Sequence, residues 1–97
     1  MSTHHFLAEV RMPIQPEQDL SWIARSLHAA CRRINSASSC LEIVSAFYSP
    51  SDDRLLCLVV AESWEDVRDL FELALLPPAR VLGVVKVEEL GLPVRPD

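Results

Sequence analysis

Glycine is nearly absent from this chain: Gly83 and Gly91 are the two in 97 residues. A phosphate cradle needs glycines where bare backbone must approach the ligand, so a glycine-rich nucleotide loop is excluded, together with the enzymes that depend on one. Cysteine is scarce and odd in number. Cys31, Cys40 and Cys57 show no Cys-x-x-Cys spacing, which signals neither a disulfide framework nor a zinc knuckle, and all three are expected as reduced, buried thiols. Concentrated positive charge is missing too. Nine Lys and Arg are scattered among fourteen Asp and Glu, for a formal charge of −5, and without a basic stripe nucleic-acid binding is not expected. No apolar run approaches the roughly 20 residues of a membrane span, and the first residues lack a charged-then-apolar signal layout. A soluble, cytoplasmic protein without membrane contact is therefore expected.

What the chain does have is apolar material. At 49% hydrophobic and 24% charged residues, it carries more than a lone domain of this size readily covers, and self-association is expected.

The pattern of that material predicts six elements. From Phe6, the residues Phe6, Ala8, Val10 and Met12 alternate with Leu7, Glu9 and Arg11, and His5 precedes them on the second face, a half-polar strand ended by Pro13. Pro16 opens a helix over about 17–34, with Glu17 and Asp19 at the positive end of its dipole and Leu20, Ile23, Ala24, Leu27, Ala30, Cys31 and Ile34 as its buried stripe. Trp22 falls on the opposite side. Strands follow over about 41–48 and 55–62, joined by the turn-forming residues 49–53. The third strand is apolar on both faces, with Leu55, Cys57, Val59 and Ala61 on one and Leu56, Leu58 and Val60 on the other. Ser63 caps a second helix, Asp66 standing three residues on, and Trp64, Val67, Leu70, Phe71 and Ala74 form its core stripe until Pro77 and Pro78 stop it. A last strand is predicted over 80–88, with Val81, Val85 and Val87 on one face.

The order βαββαβ folds as an α+β, ferredoxin-like domain: a four-stranded antiparallel sheet with both helices on one face. Residues 1–90 make the single domain and 91–97 an irregular tail. Two helices cover only one row of the third strand. Leaving Leu56, Leu58 and Val60 exposed costs roughly 1.5–3 kcal/mol for each large side chain that could be buried instead. These three residues are therefore expected at a homodimer interface in which two sheets pack face to face as a dimeric α+β barrel.

Three segments carry a family resemblance: Phe6-Leu7-Ala8-Glu9, the run Cys57-Leu58-Val59-Val60-Ala61 with Glu65-Asp66-Val67-Arg68, and Leu76-Pro77-Pro78-Ala79-Arg80-Val81. They resemble an aromatic-aliphatic-Val-Glu strand, a Cys-x-Tyr-x-Ala strand end with a Glu-x-Val-Arg helix start, and a Leu-Pro-Ala-x-Arg-Val return. That pattern is found in an uncharacterised family of small bacterial ferredoxin-like proteins with a nickel-binding, nickel-responsive member. The resemblance spans essentially the whole domain and implies the fold, the dimer and a divalent transition metal such as nickel as a possible cofactor. Family members commonly carry a His-Ser-Tyr-like element on the second strand, where this chain has Val44-Ser45-Ala46-Phe47-Tyr48, and often a Glu at the position of Val60. Of the polar residues that would line a cavity, Glu9 is the one clearly retained.

The candidate site residues are few. His4, His5 and Glu9 form the one cluster with metal-ligand character, His5 and Glu9 sharing a strand face, so His5 is the metal candidate and Glu9 and Arg11 are the ligand-binding candidates. His28 sits at the edge of the first helix's stripe, with its ring expected to be partly buried. Asp52 and Asp53 read as hairpin residues, and Glu62, Glu65, Asp66, Asp69 and Glu72 as capping and a solvated helix face. No Ser-His-Asp order is present. The first functional expectation is a homodimeric protein that binds a small molecule or a transition metal. The alternatives are a cofactor-free monooxygenase- or isomerase-like enzyme with Glu9 as base and Arg11 or His5 polarising the substrate, and an interaction module using Trp22.

Overall fold

A computed structural model describes residues 3–13, 20–35, 40–76, 78, 80–85 and 87. Their element order is β1 (His4–Arg11), α1 (Ser21–Asn35), β2 (Glu42–Ser49), β3 (Arg54–Ala61), α2 (Trp64–Leu73) and β4 (Arg80–Val84). The four strands form one sheet in the order β2-β3-β1-β4, every neighbouring pair antiparallel. This is the α+β, ferredoxin-like arrangement expected from βαββαβ. The expected 91–97 tail lies outside the described residues, as do Pro16, Glu17 and Asp19.

Strand alternation divides the sheet into two chemically different faces. Phe6, Ala8 and Val10 of β1 and Leu55, Cys57, Val59 and Ala61 of β3 are buried against Ile23, Leu27 and Ala30 of α1 and Val67, Leu70 and Phe71 of α2. The other row of each strand faces away from the helices and stays partly exposed. A register shift between Ile43 and Ser45 puts a bulge at Val44, where two residues of β2 stand against one step of β3.

The termini of α2 explain its length. Ser63 is extended, and its Oγ accepts the Asp66 amide at 3.3 Å, which satisfies one of the free donors of the first turn. At the other end the helix stops before the prolines. The Leu75 amide donates to the Glu72 carbonyl at 3.0 Å and the Leu76 amide to the Phe71 carbonyl at 2.8 Å, with Leu75 at φ 62°. This is a Schellman closure with leucine in the left-handed position that glycine usually takes, and it lets Leu76 fold back as a buried neighbour of the core. The β2–β3 hairpin turns through Pro50–Asp53, where Asp53 takes the second positive φ, 51°. The Tyr48 hydroxyl ties this end of the sheet together by donating to the Met12 carbonyl at 3.1 Å.

Several expectations are corrected. The described helix α1 begins at Ser21, because Leu20 already forms the turn: its carbonyl accepts the Ile23 amide at 3.0 Å. Leu20 and Ala24 line an open groove between α1 and β2 and are exposed rather than part of the buried stripe, and His28 is exposed as well. Trp64 is half exposed instead of core, since at the first position of α2 it lies at the edge of the sheet, with the Arg68 guanidinium 5.2 Å from its ring centroid. Strand β4 ends at Val84 rather than running to residue 88. Val84 pairs with His5, one residue from the start of β1, so the strand has run out of partner and Val85 and Val87 are exposed. Of the cysteines only Cys57 is fully buried; Cys31 is partly covered and Cys40 exposed.

Candidate functional site

The open face of the sheet carries the candidate residues. Register aligns them in cross-strand rows: Glu42, Val60, His5 and Val84 at one end, then Ser45, Leu58, Leu7 and Leu82, then Phe47, Leu56, Glu9 and Arg80, then Ser49, Arg54 and Arg11. Leu56, Leu58 and Val60 therefore do share a face with His5, Glu9 and Arg11. The face is amphipathic along the strands. Its middle is leucine-rich, with Phe47 68% exposed at the β2 edge, and its far end is occupied by three arginines around one carboxylate.

Glu9 is the centre of that charged end. Its Oε2 lies 3.6 Å from Arg54 Nη1 and 3.8 Å from Arg80 Nε. Both distances are ion pairs too long to be hydrogen bonds, and Oε2 is shielded from solvent without a hydrogen-bond partner. With the Arg54 and Arg80 side chains 40% and 61% exposed, each pair contributes at most a few tenths to about 1 kcal/mol. Arg11 stands directly opposite Arg54 in the β1–β3 ladder, a like-charge pairing that costs stability in a sheet. Three cations against one anion leave this spot positive in a chain whose formal charge is −5.

Strand polarity assembles the cluster. Strands β3 and β4 both run antiparallel to β1, so their first residues, Arg54 and Arg80, land beside the second half of β1, where Glu9 and Arg11 lie. Neither arginine stood out in the sequence, because each is an isolated charge at a strand start. The available signal was that both precede apolar strands of the same direction.

The histidines do not join the site. His4 lies on the helix side of β1, its ring edge-on to Phe6 at 6.5 Å between centroids, while His5 lies on the open face. From His5 to Glu9 is four residues, about 13 Å along a strand, too far for both to hold one ion. Among the described residues no group of three or more His, Cys, Asp or Glu could hold a metal. The donor set of the described residues thus does not fit the nickel site that the resemblance implies.

Two other features lack the same chemistry. An apolar groove of about 160 Å³ between α1 and β2 is lined by Leu20, Ile23, Leu27, Phe47 and Tyr48 without a charged side chain. Cys57, the most buried thiol, is pushed up to about 12 by desolvation and stays protonated; Cys31 is also raised, first by burial. Neither thiol is poised as a nucleophile.

No protein-family model matches the chain, and no curated protein does. Among solved structures it is similar to SCO4226 from Streptomyces coelicolor A3(2), a crystal structure, at 20% identity over 84% of this chain and 96% of that one, with a TM-score of 0.62. It is also similar to a structural-genomics protein, YJCS, at 17% identity over 88% of this chain and 99% of that one, with a TM-score of 0.50. At these identities the likeness concerns the fold. No described helix is long and apolar enough to cross a membrane.

Proposed function

We propose that the protein is a small homodimeric binding protein whose two open sheet faces pack against each other and hold a small molecule between them. The observation that carries this reading is the open face itself: rows of leucine and valine left partly bare by the helices, running into a cluster of Glu9, Arg11, Arg54 and Arg80. The occupant of the apolar part is a second copy of the chain. Three strands of eight residues and one of five, about 4.8 Å apart at about 3.3 Å per residue, present a projected face of roughly 460 Å². Side-chain relief raises its accessible area toward the roughly 800 Å² per partner of a specific interface. Protruding Phe47 at the β2 edge enlarges the face further. A sheet-on-sheet pairing leaves room between the layers where long side chains keep the strands apart, and the arginine end is where they do so.

The metal version of this reading needs donors from both copies, with His5 of each as the contribution from this strand, because one chain does not supply a set among its described residues. Sedimentation of the purified protein across micromolar concentrations tests the dimer, with a species of twice the 10.9 kDa chain mass expected. A single species of chain mass at every concentration removes the proposal.

A further inference from the structure

We infer that the arginine end of the open face holds the head group of an amphipathic organic anion, a carboxylate with an apolar body lying along the leucine rows; this rests on the reading of that face as a binding face. Four observations point to this chemistry. Arg11 and Arg54 are paired directly across β1 and β3, a repulsive juxtaposition that an anion relieves. Glu9 offsets one of three positive charges, and its approaches to Arg54 and Arg80, at 3.6 and 3.8 Å, use none of their hydrogen-bonding capacity. Both guanidiniums therefore keep their donors for a ligand, and a carboxylate matches the guanidinium fork in shape as well as charge. Beside that cluster lie Leu56, in the row of Glu9 and Arg80, and Leu7, Leu58 and Leu82 in the next row.

Closure of the face sharpens the need for a counter-ion. A second copy brought against this surface removes water from the surplus cations, and an uncompensated charge is costly once water is excluded. An organic anion supplies the missing charge and, through its apolar body, fills the space above the leucines. Glu9 acts as a positioning residue, drawing Arg54 and Arg80 toward one point from two different strands.

The test is isothermal titration of the full chain with octanoate, acetate and octanol, probes that carry head and body together, head alone and body alone. Saturable binding of octanoate, at least about tenfold tighter than either partial probe, is expected. Arg54→Gln and Arg80→Gln each weaken octanoate by about tenfold or more, the loss of a hydrogen bond to a charged group. Arg25→Gln removes the same formal charge from α1, where Arg25 bonds Ser21, and leaves octanoate binding unchanged. Octanol binding as tightly as octanoate, or equal octanoate affinity in all three variants, overturns the inference. Sedimentation of the same samples separates the two claims. A wild-type dimer that takes up no octanoate overturns the anion site alone. A monomer whose octanoate binding depends on Arg54 and Arg80 supports the anion site and overturns the dimer.

Discussion

Leu58→Asp probes the open face most directly, because the substitution is expected to cost little in one chain and much in a pair. Leu58 lies at the centre of the face, opposite Leu7 of β1 and Ser45 of β2. In the single chain it is already partly covered by its row, as are Leu7, Leu56, Val60, Leu82 and Val84. Covering what remains of each contributes about 0.5 kcal/mol, well below the 1.5–3 kcal/mol of burying a fully exposed side chain. Exposed Phe47 adds about 1.5 kcal/mol per copy. By two-fold symmetry Leu58→Asp puts two unpaired carboxylates under cover, at no less than about 2 kcal/mol each, so dimerisation weakens about a thousandfold. The folded monomer loses no more than about 1 kcal/mol, since a strand residue on an open face tolerates a polar side chain. Sedimentation equilibrium from 1 to about 200 µM, paired with urea unfolding of the same samples, reads both quantities. A variant that dimerises like the wild type would falsify the face assignment; a variant that fails to fold would show that Leu58 belongs to the monomer's own core.

Other consequences follow from particular groups. Leu75→Gly is expected to stabilise the protein by about 1 kcal/mol in urea unfolding, because the left-handed φ of 62° at the exposed Leu75 costs an L-residue about that much; a destabilised variant would contradict the Schellman reading. Ser63→Ala should cost about 1 kcal/mol through the lost bond to the Asp66 amide, and Phe71→Ala about 3–5 kcal/mol from the centre of the core, where Phe71 is fully buried. The Cys57 thiol, raised from 9.0 to about 12 by burial, binds its proton more tightly folded than unfolded. Its stabilising effect is complete below pH 9 and is lost as pH rises toward 12, with a slope of up to about 1.4 kcal/mol per pH unit. Cys57→Ala should flatten that slope, and an unchanged alkaline profile in the variant would refute the assignment. In thiol labelling of the native protein Cys40 should react first, and Cys57 only on unfolding.

Much of the fold is legible because most strands, the stop of α1 and the start of α2 are encoded locally. The alternation of β1 and the double row of β3 identify strands whose faces the structure confirms residue by residue, and Ser63 with Asp66 marks the start of α2 within one residue. What local pattern misses is set by neighbours. Val81, Val85 and Val87 look like one strand, but β4 can extend only as far as β1 offers a ladder partner, and that ends near His5. Trp64 fits the helical period of α2, yet its place in the first turn leaves it beyond the sheet edge, stacked against Arg68. Leu75 shows the reverse: the closure uses a residue type that the sequence rules assign to glycine, so the sequence places the stop at Pro77 and Pro78 while the backbone makes it three residues earlier.

The site was legible by half, for the same reason. Glu9 and Arg11 declare themselves as polar points on a half-apolar strand, whereas Arg54 and Arg80 acquire meaning only when strand direction is added. Each opens a strand that runs opposite to β1, and an antiparallel partner's first residue must lie beside the far half of the strand it pairs with. The same geometry removes the metal cluster. Neighbours in sequence on a strand point to opposite faces, so His4 and His5 could never have acted together from β1, and His5 and Glu9 are held two full pleat repeats apart. Topology thus disperses the residues that adjacency suggested and gathers beside Glu9 and Arg11 two arginines that adjacency hid. An acidic chain that brings three of its cations to one place on its open face is better fitted to hold an anion than a metal ion.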